Sequence, residues 1–144
     1  MDAMMISSSA LTAQRTRMNL IASNLANALT TRTPEGGPYK RKDAMFAAMP
    51  MEKNSFASIL DKKSQPEALG VEVMEIMEDH NPPRLQYDPS HPDANQQGYI
   101  AYPNVNVIEE MTDMMSATRS YEANVTASKA SMSMQMKAME ILSK

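Results

Sequence analysis

The sequence predicts a mainly α-helical protein with a small β insert, in which an N-terminal and a C-terminal helix pair as a coiled-coil-like layer. Three observations indicate this fold class. Both ends of the 144-residue chain lack Pro and Gly, and apolar side chains recur there every seven positions, as in paired helices. All nine prolines and all four glycines lie in the middle. We therefore divide the chain into residues 1–30, 31–103 and 104–144.

The first element is a predicted helix over residues 2–29. Its apolar stripe is spaced by seven residues and consists of Met4, Leu11, Met18 and Leu25, with Ile21 between the last two. Residues 30–38 combine Thr, Pro and Gly, which end helices and favour turns. Asn24 and Asn27 lie inside or near the end of this helix, where Asn is not a favoured residue. We therefore favour a tertiary or intersubunit hydrogen bond for each over a solvent-facing amide.

The middle segment is predicted to hold short strands separated by turns. The strand-like pieces are residues 42–49, 71–77, 84–87 and 99–102. Residues 52–69 are polar and rich in Lys, which indicates a loop, or a short helix around residues 56–60. Residues 88–98 concentrate Pro, Asp, Asn and Gly, each of which favours a turn, so we expect an ordered loop before the last strand.

The last element is one long predicted helix after Pro103. Asn104 or Asn106 can cap its start, and Glu109 and Glu110 complement the positive end of its dipole. Its heptad stripe contains Met111, Thr118, Val125, Met132 and Met139. The seam positions between them are filled by Ile108, Met115 and Met136 or by Val107, Met114, Tyr121 and Leu142. The stripe continues for about five heptads, so the helix is too long to be buried in so small a middle segment.

The two stripes supply the candidate helix seam or subunit interface. Its residues are Met4, Leu11, Met18, Ile21, Asn24, Leu25, Asn27, Ile108, Met111, Met115, Tyr121, Val125, Met132, Met136 and Met139. One interpretation is a helical hairpin that packs these side chains as its own core. The other is that polar positions weaken the seam, so that an isolated hairpin is marginal and gains order when further copies cover it. Periodicity alone leaves both interpretations open.

Composition and motifs argue against several other classes of protein. A net charge of −3 does not suit a nucleic-acid partner. The chain has no Cys, and its two histidines lack the companions of a zinc site, so we expect no metal and no cofactor. No phosphate loop or nucleophile elbow is present, so we expect no catalytic residues. The apolar runs are too short to span a bilayer, and the N-terminus lacks the pattern of a cleaved secretory signal.

Several blocks of the sequence resemble the flagellar axial proteins. Residues 9–15 and 19–28, with the run Ala-Ser-Asn-Leu-Ala-Asn, resemble the N-terminal signature that rod and hook proteins share. Residues 31–42, 83–99 and 102–125 narrow this resemblance to the proximal-rod subunits of the family. The similar blocks together cover nearly the whole chain.

The resemblance implies a structural subunit of the proximal rod of the bacterial flagellar basal body. Such a subunit polymerises helically into the torque-transmitting drive shaft and export channel that crosses the periplasm, and it leaves the cell interior through the type III export apparatus without a cleaved signal. The implied partners are further copies, the other proximal-rod subunits, the MS-ring adaptor protein and the distal rod protein. The alternative is a soluble helical-hairpin adaptor or export chaperone, which would form a discrete small oligomer.

Overall fold

The computed structural model describes residues 2–50 and 69–142 of the chain. Within these ranges the elements are helix α1 (Asp2–Ala26), strands β1 (Lys42–Pro50), β2 (Leu69–Glu78), β3 (Arg84–Tyr87) and β4 (Tyr99–Tyr102), and helix α2 (Val107–Leu142). The prediction of a mainly α protein with a small β insert is confirmed. The loop or short helix predicted within residues 52–69 lies outside the described residues, apart from the first residue of β2.

The two helices run antiparallel and pack on each other. Helix α2 begins after Asn106, whose side-chain Oδ1 accepts a hydrogen bond of 3.1 Å from the backbone N–H of Ile108. This confirms one of the two predicted caps. Helix α2 has 36 residues against the 25 of α1. At 1.5 Å per residue the difference corresponds to roughly 16 Å of helix.

Small and polar side chains form the buried face of α2. The buried residues of this helix are Glu110, Ala117 and Ser131, which share one heptad position. Facing them, α1 buries Ser7 and Ile21 among others. The predicted stripe that begins at Met111 is therefore displaced by one residue from the face that meets α1.

The first strand pair, the β1–β2 ribbon, lies along α1. It is antiparallel, with Lys42 opposite Glu78 at one end and Pro50 opposite Leu69 at the other. Met74 is the extra residue of a β-bulge, because Met45 pairs with Glu75 while Phe46 pairs with Val73. The ribbon is joined to α1 by a hydrogen bond of 3.1 Å from the backbone N–H of Val71 to the Ser9 hydroxyl.

The second strand pair, β3–β4, closes the predicted ordered loop. Its inner face buries Ile100, while Tyr87 and Tyr99 pack edge to face on the outer side with ring centroids 5.3 Å apart. The loop is held by its own hydrogen bonds, including one of 2.9 Å from the Asp88 backbone N–H to the Gly98 carbonyl. Gly98 has φ +78, a left-handed conformation that favours glycine.

Candidate subunit interface

A buried polar cluster fixes the relative positions of α1, the start of the ribbon and α2. At its centre is Asn24, which is 1% exposed. Its Oδ1 accepts hydrogen bonds from the Lys42 backbone N–H at 2.9 Å and from the Tyr39 hydroxyl at 3.0 Å. Its Nδ2 donates to the Lys42 carbonyl at 2.8 Å and to Glu110 Oε2 at 3.2 Å. The amide of Asn24 therefore uses both its donors and both lone pairs of its acceptor.

The second half of this Asn24 cluster is an ion pair. Glu110 is 1% exposed, and its Oε1 accepts a hydrogen bond of 2.6 Å from Arg41 Nε. This hydrogen bond raises the pKa of Arg41, because it stabilises the charged guanidinium. A buried carboxylate is costly unless it is paired and hydrogen-bonded, and both of its oxygens have partners here. The ion pair thus ties α2 to the chain segment before β1.

The sequence indicated one member of this cluster and missed the others. Asn24 makes the tertiary hydrogen bonds that its mid-helix position favoured. Asn27 instead bonds locally, through Nδ2 to the Ser23 carbonyl at 2.9 Å and through Oδ1 to the Thr30 hydroxyl at 3.2 Å. Arg41 and Glu110 are 69 positions apart, so no local pattern joins them. The sequence predicts only that Glu110 complements the helix dipole, and the structure adds its ion pair with Arg41.

The candidate seam residues divide into three groups by exposure. Ile21 and Asn24 are buried. The partly buried residues are Leu11, Met18, Leu25, Asn27, Tyr121 and Val125. The exposed residues are Met4, Ile108, Met111, Met115, Met132, Met136 and Met139. Because the third group lies on the surface, it does not form the core of the contact between α1 and α2, which is a correction to the hairpin-core interpretation. Its role between subunits stays a prediction.

The exposed apolar residues of α2 share two heptad positions and form one group near each end of the helix, with Thr118, Glu122 and Lys129 at the same positions between them. We define the α2 stripe as Ile108, Met111, Met115, Met132, Met136 and Met139, whose exposed fractions range from 52 to 75%. Isolated apolar residues on a surface need no explanation, but an aligned set at heptad spacing indicates a contact with another chain. Methionine is flexible and polarisable, so it adapts to neighbours of different shape.

The C-terminal end of α2 extends past the start of α1. Every residue from 136 to 142 is exposed, including Ile141 and Leu142 at 77 and 85%. We call residues 136–142 the overhang. Its apolar side chains are left uncovered by the described part of the chain.

The described residues hold no metal-binding cluster. No group of three or more His, Asp or Glu side chains in residues 2–50 and 69–142 could hold a metal ion. Neither helix in those residues has the length and hydropathy of a membrane span.

Comparison with known families identifies the two helical regions. Residues 4–32 match the family model described as flagella basal body rod protein. Residues 96–141 match the model for the C-terminal region of flagellar basal body rod FlgEFG proteins. The first match covers most of α1 and the turn after it, and the second covers β4 and nearly all of α2.

Relatives over the full length decide the family. The chain is 48% identical over 143 residues to the flagellar basal-body rod protein FlgC of Bacillus subtilis, covering 94% of this chain and 93% of the relative. It is 45% identical over 144 residues to FlgC of Borreliella burgdorferi, covering 95% and 93%. The chain belongs to the FlgC family. FlgC of an Escherichia coli O6:H1 strain is 39% identical over 138 residues, covering 94% and 92%.

Membership of the FlgC family confirms the resemblance to the flagellar rod proteins that the sequence indicated. The FlgC relatives are named as basal-body rod proteins, which are structural components of the flagellum and not enzymes. The residues of interest are therefore those that can contact other subunits.

Proposed function

We propose that this protein is a structural subunit of the flagellar basal-body rod, assembled through the exposed faces of its helices. In this proposal α1 and α2 form a coiled-coil-like layer, and copies of that layer stack helically into a shaft that transmits torque and encloses the export channel. The FlgC relatives, which match along nearly the whole chain, support the rod role.

The observation that carries the proposal is the exposure of the α2 stripe. Burying one such apolar side chain contributes about 1.5–3 kcal/mol. Six of them at heptad spacing, left uncovered by their own chain, are a surface that a neighbouring helix would stabilise. A head-to-tail contact that does not close into a ring generates an open helical filament, which is the form a rod requires.

The proposed partners follow the same reasoning. Further copies and the other proximal-rod subunits would cover the α2 stripe, and the MS-ring adaptor protein and distal rod protein would meet the two ends of the stack. Delivery would use the type III export apparatus without a cleaved signal, and the assembled subunit would cross the periplasm. The adaptor or chaperone alternative would instead bury the stripe inside a closed oligomer.

The test places a charge in the stripe. In the source bacterium with the gene deleted, we would express the unmodified chain, Met111→Asp with Met132→Asp, or Met134→Asp. Met134 is 65% exposed and lies about 200° around the helix from Met132, so it is a matched control outside the stripe. We expect the control to swim and the stripe variant to lose motility, because burying a charge in the contact is costly.

Isolated basal bodies distinguish the possible causes. We expect the unmodified chain and the Met134 variant in purified basal bodies, and the stripe variant only in the soluble fraction at a normal level. Normal swimming of the stripe variant would refute the role of the stripe. A monodisperse small oligomer of the unmodified chain that never enters basal bodies would favour the adaptor or chaperone alternative.

A further inference from the structure

The outer face of the β1–β2 ribbon is a second exposed surface, and it is both apolar and acidic. We define this ribbon face by seven exposed side chains of the ribbon, which are Asp43, Met45, Met49, Glu72, Met74, Glu75 and Met77. Its four methionines are 43 to 73% exposed. The bulge at Met74 places Glu72 and Glu75 on the same side, because the extra residue shifts the alternation by one position.

Glu72 and Glu75 of the ribbon face have no ion-pair partner among residues 2–50 and 69–142. The ion pairs of the ribbon in the described residues join Glu78 to Lys40 and Lys42, at 3.7 and 3.4 Å. The face therefore presents negative charge among methionine side chains.

The C-terminal part of α2 has the complementary character. The α2 stripe has Met132, Met136 and Met139 there; Lys129 occupies the same heptad position as Met136, and Lys137 lies about 100° around the helix from Met136. Neither lysine forms an ion pair among the residues that the structure describes. Glu140 also lies in this region, so the charge of residues 129–142 is +1 against −3 for the ribbon face.

We infer that the C-terminal part of α2, ending in the overhang, docks on the ribbon face of a second copy of this chain. Methionine side chains of both surfaces meet, and Lys129 and Lys137 approach Glu72 and Glu75. Opposite charge selects this pairing and its orientation, while burial of the methionines stabilises it. This inference rests on the proposed rod function and names the surfaces that meet within it.

The described contacts favour a second copy over the same chain as the partner. The ribbon lies beside α1, with Lys42 bonded to Asn24 and Val71 bonded to Ser9. Within residues 2–50 and 69–142, α2 contacts α1 but neither strand of its own ribbon. If two overhangs paired with each other instead, Lys129 and Lys137 of one copy would lie beside the same lysines of the other copy. The result would be a closed dimer. The overhang-to-ribbon contact is head-to-tail and leaves both outer ends open for further copies.

The first test reverses the charges on each surface. Glu72→Lys with Glu75→Lys alters the ribbon face, and Lys129→Glu with Lys137→Glu alters the α2 surface. Each variant alone brings like charges together, so we expect loss of swimming in the deletion strain. When the two variants are expressed together, the unaltered α2 surface of one can dock on the unaltered ribbon face of the other, and the two altered surfaces can dock on each other. Each contact then joins opposite charges, so we expect swimming to return. Glu35→Lys, an exposed reversal in the turn after α1, is the control and should swim normally.

The second test detects the contact directly. The chain has no Cys, so Met74→Cys and Met136→Cys introduce thiols only at the two surfaces. With both substitutions in one chain, a short bismaleimide crosslinker should convert subunits in purified basal bodies into a ladder of covalent multimers. Either substitution alone should give no ladder. Met136→Cys combined with Ser90→Cys should also give none, because Ser90 lies in the β3–β4 loop, away from the ribbon face.

The outcomes separate this inference from the function on which it rests. Failure of the unmodified chain to enter basal bodies overturns both. Normal swimming of each charge-reversed variant, or a missing ladder in basal bodies that contain the double-Cys chain, overturns the docking while the rod function stands. Circular dichroism of each purified variant controls for folding. A variant that does not swim, folds like the unmodified chain and is not rescued by its counterpart also counts against the docking.

Discussion

The two ends of the helix pair differ in how their side chains are covered by the rest of the chain. At one end the Asn24 cluster joins α1, the ribbon and α2 through hydrogen bonds that satisfy every polar atom of Asn24 and Glu110. At the other end the overhang carries Met136, Met139, Ile141 and Leu142 on its surface. At the first end the chain supplies its own contacts, and the second presents apolar surface that the described part of the chain leaves uncovered.

The two ends therefore predict which contacts maintain the subunit and which would serve assembly. Removing part of a satisfied buried network leaves its remaining polar groups without partners, which is destabilising in an isolated chain. Removing an exposed methionine changes little until a neighbour arrives. Substitutions at the Asn24 cluster should therefore act on folding, and substitutions at the overhang should act on assembly.

The largest effect on stability is expected at Asn24. Asn24→Ala leaves the backbone N–H and carbonyl of Lys42, together with Glu110, without their amide partner, so we expect a loss of about 3 kcal/mol in the free energy of unfolding. Asn27→Ala removes only local hydrogen bonds and should cost about 0.5 kcal/mol. Urea unfolding followed by circular dichroism measures both values. Equal losses for the two variants would contradict the central role of Asn24.

The next effect is expected at Gly98, in the loop that the chain also completes by itself. A Cβ at this position would lie 2.9 Å from Tyr87 Cε2, in a backbone conformation with φ +78. Gly98→Ala should therefore cost about 2 kcal/mol from the clash and the strain together. Gly36→Ala is the matched control, because its φ is +90 but no atom lies within 4 Å, and it should cost about 1 kcal/mol. A melting temperature that falls equally in both variants would rule out the clash.

A smaller effect is expected from pH near the Asn24 cluster. The backbone N–H of Asn81 donates to Asp79 Oδ1 at 2.9 Å, which holds the pKa of Asp79 below its ordinary value of 3.8. A folded-state pKa below the unfolded one gives stability that is complete above about pH 3.8 and is lost as the pH falls through the folded value. Asp79→Asn should therefore flatten the acid side of the stability curve. An unchanged acid side in thermal melts would contradict this.

The smallest effect on the isolated chain is expected at the overhang. Met139 is 63% exposed, so Met139→Ser should change the free energy of unfolding by less than about 0.5 kcal/mol. The same variant should nevertheless compete poorly with the unmodified chain for places in basal bodies when both are expressed together. Quantitative mass spectrometry of purified basal bodies gives the ratio. Equal incorporation would place Met139 outside the contact.

The elements of this fold could be predicted closely from the sequence. The helices, the four strands and the Asn106 cap follow from local signals, because periodicity, turn residues and capping act within a few positions. The faces could not be assigned in the same way. A heptad of methionines is apolar whether it meets its own chain or another, and the α1-facing heptad of Glu110, Ala117 and Ser131 carries no strong apolar signal.

The candidate interface was predicted only in part for the same physical reason. Asn24 stood out because Asn is unfavourable within a helix, and that signal is local. The Arg41–Glu110 ion pair and the acidic ribbon face depend on pairings set by the folded chain. The position of the bulge at Met74, which decides that Glu72 and Glu75 share a side, has no sequence signature of its own.

The Asn24 cluster also sets an order of events in time. Asn24 and Glu110 are separated by 86 positions, and closing so long a loop is slow compared with forming either helix. When the chain emerges N-terminus first, from the ribosome or from an export channel, Asn24 and Arg41 emerge long before Glu110. For most of that time they lack the carboxylate that they bind in the folded chain. The link between the two helices therefore forms late, after about three-quarters of the chain has emerged. Until then neither helix is held in the position that it has in the folded subunit.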